Sequence, residues 1–246
     1  MKLNSPLFPG LLVATVLAAT VSLSAAGWPE PRVVNPGPTG GIPADAVVLF
    51  DGQDLSQFRG QNGEPKWKVA AGVAEVNGTG NLFSKEEFGD CQLHVEWSSP
   101  NPPTGTDQSR GNSGVYLQGR YEIQVLDSYQ SKTYPDGQAG AFYNNFPPLV
   151  NVSRPPGEVQ IYDIIFHAPK ADAGSGAVVP GSFTVLHNGV LVQDHVPIKA
   201  PTVAAAFDKP SPNGRGPLML QDHGSPVHYH RIWLRPLSAD PLPHRE

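Results

Sequence analysis

The sequence predicts an all-β chain, a sandwich of two antiparallel sheets. Three observations point there. Short alternating or apolar runs recur along the chain, with no amphipathic helix among them. The chain holds 27 Pro and 26 Gly, which suit many turns and interrupt long helices. His187-Asn188-Gly189-Val190 carries Asn-Gly, the pair that fits a two-residue primed turn between two strands.

In order, the expected strands are 47–50, 67–69, 73–76, 92–97, 113–117, 121–126, 160–167, 182–187, 190–193, 218–222 and 228–235. Packing two such sheets face to face buries one side of each strand. Residues 27–45 are rich in Pro and Gly and read as a flexible lead-in. The globular span is expected over 46–237, followed by a short tail, 238–246. No repeat of fixed period appears.

Ahead of the lead-in, Lys2 precedes an uncharged apolar run from Leu11 to Leu23, then the small residues Ser24, Ala25 and Ala26. That is the pattern of a secretory signal peptide, with cleavage expected near Ala26. The run is shorter than the roughly 20 apolar residues of a spanning helix. The expectation is export to periplasm or medium with no stable membrane anchor after cleavage; a retained anchor is the alternative. No Cys follows the run, which argues against a lipid anchor. About 220 residues then remain, enough for one sandwich with its own core.

The formal net charge is -5 and no basic cluster occurs, which excludes a nucleic-acid surface of the usual kind. Cys91 is the single cysteine, so no internal disulfide forms; in its strand-like context it reads as a buried apolar thiol. No His/Asp/Glu cluster has metal-ligand spacing. His228 and His230 could supply two ligands from one strand face, without a visible third. No cofactor is implied, and calcium held by loop carbonyls leaves no mark in a sequence.

The densest chemistry lies between Arg110 and Asp127. Two strands meet there across a tight Gln118-Gly119-Arg120 turn. Alternation sends Tyr121, Ile123 and Val125 to one face, Glu122 and Gln124 to the other. Pairing could bring Asn112 or Tyr116 beside them. Such a polar face is ordinarily the solvated side of a sheet, yet Glu, Gln, Asn and Tyr together offer directional hydrogen bonds. Near the C-terminus, Gln221 and His223 share one side of a strand ending Gln-Asp-His-Gly, and His223 can serve as acid or base. His167, His228 and His230 are weaker candidates. Long polar loops at 99–110, 132–140 and 147–157 suit a sugar-binding rim.

Several phrases carry a family resemblance. Leu49-Phe-Asp-Gly-Gln-Asp-Leu55, Gly80-Asn-Leu-Phe-Ser-Lys-Glu-Glu-Phe-Gly-Asp90, Arg110-Gly-Asn-Ser-Gly-Val-Tyr-Leu117, Tyr121-Glu-Ile-Gln-Val-Leu-Asp127, Leu220-Gln-Asp-His-Gly224 and Tyr229-His-Arg-Ile-Trp-Leu-Arg-Pro-Leu237 stand in one order across 46–237. Together they resemble the 3-keto-disaccharide hydrolase family. The resemblance implies a concanavalin A-like jelly-roll sandwich with a sugar groove and cleavage of glycosides through a 3-keto sugar. A ketone at C3 acidifies the C2 hydrogen, so a base can start elimination of the C1 substituent, and water then adds to the enone. Glu122 and His223 are the expected base and acid, in either order. Arg110, Gln124 and Gln221 are expected to bind sugar or enolate, with Asn112 and Tyr143 in support. Val159 stands where the family suggests Trp, and His228, His230 and Arg231 where it suggests more Arg and Asn. Two rivals remain: a conventional glycosidase pairing Glu122 with a second carboxylate such as Asp127, and a carbohydrate-binding module without catalysis.

Overall fold

A computed structural model describes residues 30–171 and 177–237. The apolar N-terminal run, the cleavage point near Ala26 and the tail 238–246 lie outside the described residues. The fold belongs to the unit Val34–Ala239. Its strands are β1 (Val47–Phe50), β2 (Phe58–Gly60), β3 (Lys68–Ala70), β4 (Val73–Glu75), β5 (Leu82–Phe88), β6 (Cys91–Ser98), β7 (Ser113–Leu117), β8 (Tyr121–Val125), β9 (Gln160–His167), β10 (Lys170–Ala171), β11 (Val178–Val179), β12 (Gly181–His187), β13 (Val190–Ile198), β14 (Gly216–Leu220) and β15 (His228–Pro236). The only helical pieces among the described residues are two single 3-10 turns, Asp107–Ser109 and Pro135–Gly137.

The larger sheet runs β13-β12-β9-β6-β15-β4-β3, with β1 also paired to β15. The smaller runs β2-β5-β14-β7-β8. Every pairing in both is antiparallel. Apart from the hairpins β3-β4, β7-β8 and β12-β13, neighbours in each sheet are not consecutive in sequence, as in a jelly roll. Between the sheets, Leu93, Val95 and Trp97 of β6, Tyr162, Ile164 and Phe166 of β9, and Ile232 and Leu234 of β15 meet Val115, Leu117, Ile123, Val125, Leu218 and Leu220. Full burial of each such side chain stabilises the fold by about 1.5–3 kcal/mol. Cys91 packs in this core, and burial pushes its thiol far above the ordinary range, as befits an inert sulfhydryl.

Most expected strands are present within a residue or two. Asn188 and Gly189 both take positive φ between His187 and Val190, so the predicted hairpin closes as a primed turn. Three differences matter. Leu82–Phe88 is a strand although its sequence does not alternate: Lys85, Glu86 and Glu87 are successively exposed, and its pairing with β14 is irregular between Pro217 and Met219. Residues 58–60 form another unanticipated strand, too short for any periodicity. The strand expected over 218–222 instead runs from Gly216 to Leu220, so Gln221 and His223 lie beyond its end.

The outer face of the larger sheet carries a charged cluster. His94 is bonded through Nδ1 to Asp163 Oδ1 at 2.7 Å and through Nε2 to Glu96 Oε1 at 3.3 Å. Its ring stacks on Trp233 with centroids 5.0 Å apart, and Arg231 pairs with Glu96. His228 bonds Glu75 at 2.9 Å and His230 bonds Ser98 Oγ at 2.8 Å, so each imidazole already has its own partner.

Candidate active site

The site grows from the β7–β8 hairpin. The turn from Leu117 to Arg120 places Gln118 and Gly119 at positive φ, and Arg120 N–H donates to Leu117 O at 3.0 Å. This sets the register: Tyr116 faces Glu122 and Gly114 faces Gln124. Alternation then behaves as expected. Tyr121, Ile123 and Val125 enter the core, while Glu122 and Gln124 stand on the opposite face. That face is not solvated. Glu122 is 2% exposed and Gln124 1%.

Distant segments cover it. Glu122 N–H donates to Thr202 Oγ1 at 2.8 Å, and Tyr143 N–H donates to Glu122 O at 3.2 Å. Ala205 packs on a small outer cluster of Phe83, Tyr116 and Met219. From the 99–110 loop, Gln108 accepts from Gln124 Nε2 at 2.9 Å through Oε1, and its backbone carbonyl accepts from Asn112 Nδ2 at 2.7 Å. Gln108 Nε2 in turn donates to Gly137 O at 3.0 Å and Thr133 Oγ1 at 2.8 Å. Two of the three long polar loops therefore join over Gln124.

At the centre, Tyr116 O–H donates to Glu122 Oε2 at 2.7 Å, and Gln221 Nε2 donates to the Tyr116 hydroxyl at 3.1 Å. Burial pushes the Glu122 carboxyl up to about 8, and the bond from Tyr116 only partly offsets it. Burial and the adjacent carboxylate push the Tyr116 phenol far above its ordinary value, so it keeps its proton. Two buried acceptors beside this pair, Gln124 Oε1 and Gln221 Oε1, have no donor. An unmet buried acceptor costs about 1–3 kcal/mol.

The remaining candidates are placed less centrally. Arg110 Nε donates to Asp127 Oδ2 at 2.7 Å, and Tyr129 N–H donates to Asp127 Oδ1 at 3.2 Å. Asp127 is thus a buried anchor for Arg110. Tyr143 bonds Tyr134 hydroxyl to hydroxyl at 2.5 Å, and Tyr134 is 38% exposed at the rim. His223 is exposed in the loop after β14 and makes no hydrogen bond among the described residues. The structure therefore makes two bonded groups on this hairpin, Glu122 with Gln221 through Tyr116 and Gln124 with Asn112 through Gln108, and leaves His223 outside both. Tyr116 was legible from strand alternation. Gln108 and Thr202 were not, because both sit in loops without a local signal.

The profile of the 3-keto-alpha-glucoside-1,2-lyase-like domain matches residues 45–235. The chain belongs to this family. A crystal structure of a candidate glycosyl hydrolase from Parabacteroides distasonis is 42% identical, with a TM-score of 0.79, covering 88% of this chain and all 100% of the other. Two further candidate glycosyl hydrolases from the same organism share the fold at 18% and 20% identity, with TM-scores of 0.56 and 0.54. The first pair covers 79% of this chain and 94% of the other, the second 78% and 99%. No curated protein matches. The chain is a glycosyl hydrolase-like domain, and the 3-keto-glucoside lyase-like region encloses both bonded groups, those of Gln108 and of Gln221.

Proposed function

We propose that this is an exported enzyme that cleaves 3-keto-glycosides or 3-keto-disaccharides by elimination and hydration. The observation that carries the reading is the buried carboxyl of Glu122, poised at about 8 and linked through Tyr116 to Gln221, whose amide oxygen has no donor. General bases work best with a proton affinity near the operating pH. Glu122 takes the C2 proton, which the C3 ketone acidifies. The electron pair moves into the C2–C3 bond, and charge collects on the C3 oxygen as an enolate. Arg110 and the side-chain amides are suited to bind that oxygen or the neighbouring hydroxyls. The enolate then expels the C1 substituent, and His223, exposed at the loop after β14, can protonate the leaving oxygen. Water adds to the enone, giving net hydrolysis.

A conventional glycosidase would need a second free carboxyl at roughly 5.5 Å or 6.5–9.5 Å. Asp127, the nearest in sequence of the expected partners, is held by Arg110 and Tyr129 instead. That favours elimination, and the lyase-like family profile supports it. The test incubates purified protein with 3-keto-glucosides and with plain glucosides. Release of aglycone only from keto substrates, with a transient enone absorbance, is the expected result. Release from plain glucosides would favour the two-carboxylate mechanism. Binding without release would mean a carbohydrate-binding module.

A further inference from the structure

We propose that Tyr116 is the positioning residue of this site: its hydroxyl fixes Oε2 of Glu122, and Gly114 leaves Oε1 free as the oxygen that accepts the proton. This rests on the proposed role of Glu122 as base.

Tyr116 is fully buried, its ring wedged with Phe83 and Met219, and it sits directly opposite Glu122 in the hairpin register. Its hydroxyl is held from both sides. Gln221 Nε2 can only donate, so the phenol oxygen accepts from it and directs its own proton onward. Glu122 Oε2 at 2.7 Å is the near acceptor; the carbonyl of Val203 at 3.4 Å is a poorer one. One carboxylate oxygen is thereby committed. The other lies over Gly114, where a Cβ would come within 2.4 Å of Oε1. Oε1 has no hydrogen-bond partner among the described residues, so it is the oxygen available to a substrate.

The titratable groups near Glu122 are the phenols Tyr116 on β7, Tyr143 in the loop after β8 and Tyr229 on β15. Among the described residues no Lys, Arg or His is bonded to it. Tyr116 is thus the donor that restrains the upward push of burial on this carboxyl.

The test is Tyr116→Phe, which keeps the ring packing and removes only the hydroxyl. Glu122 is titrated by NMR of protein carrying ¹³C-carboxyl glutamate, and kcat/KM on a 3-keto-glucoside is followed against pH. Glu122 should titrate about one pH unit higher in the variant. The rising limb of kcat/KM should move with it, and kcat should fall about 10–100-fold with KM little changed. Gln221→Leu, which removes the donor that orients the phenol, should shift the titration in the same direction; it decides the matter if Tyr116→Phe does not fold. An unshifted Glu122 titration in a folded variant overturns the role of Tyr116. The titration needs no substrate. A shifted titration in a protein that turns over no keto-glycoside would therefore sink the base assignment and leave the hold on Oε2 intact.

Discussion

Replacing Glu122 with Gln should make the protein more stable as the pH rises, relative to the parent. In the folded protein the carboxyl holds its proton up to about 8, whereas its ordinary value is 4.5. Between those values the folded state binds a proton that the unfolded chain has lost, so parent stability falls as pH increases. The slope approaches 1.4 kcal/mol per pH unit over the middle of that window. Summed across it, the cost to the parent reaches at most about 5 kcal/mol. Gln does not titrate and can still accept from Tyr116. Its new amide group over Gly114 adds an offset that does not vary with pH. The assay is urea unfolding followed by Trp fluorescence, for both proteins, at intervals from acid to mildly alkaline pH. The expected result is a stability difference that moves steadily in favour of Glu122→Gln, with turnover of keto-glycosides abolished throughout. Parallel stability curves would refute the reasoning, because they would mean that burial does not alter the proton affinity of Glu122.

Asp127→Asn should cost about 3 kcal/mol by leaving Arg110 without its charged partner, raising KM more than it lowers kcat; a turnover loss above about 10³-fold with unchanged stability would restore Asp127 as a catalytic carboxylate. His223→Ala should leave stability within about 0.5 kcal/mol, since the side chain is exposed, and should reduce kcat about 10²-fold if it protonates the leaving group; unchanged turnover removes it from the mechanism. Burial opposes a charged His94, but its bonds to Asp163 and Glu96 prevail and raise its proton affinity above 6.5. Its stabilising contribution is therefore complete below that value and lost as pH climbs through the folded one. The stability gap between parent and His94→Phe, read from denaturant midpoints, should narrow above 6.5; a widening gap would contradict the assigned pairs.

Local chemistry made much of the architecture legible. Tyr121-Glu-Ile-Gln-Val125 alternates, and a strand with that pattern must send Glu122 and Gln124 to one side whatever surrounds it. Asn188-Gly189 selects its turn through backbone freedom alone. Leu82–Phe88 escaped because a bulged pairing permits several exposed residues in succession, which breaks the period that reveals a strand.

Whether Glu122 faces water or lies beneath other chain was beyond any local pattern. Its backbone partner Thr202 is 80 residues away, and the Gln221 that orients Tyr116 lies 105 residues from it. The sequence by itself determined which residues share a face, through strand period and turn type. Only the tertiary structure decided their chemistry, because a carboxyl's proton affinity depends on how much water is excluded around it and on which donors arrive from elsewhere in the chain.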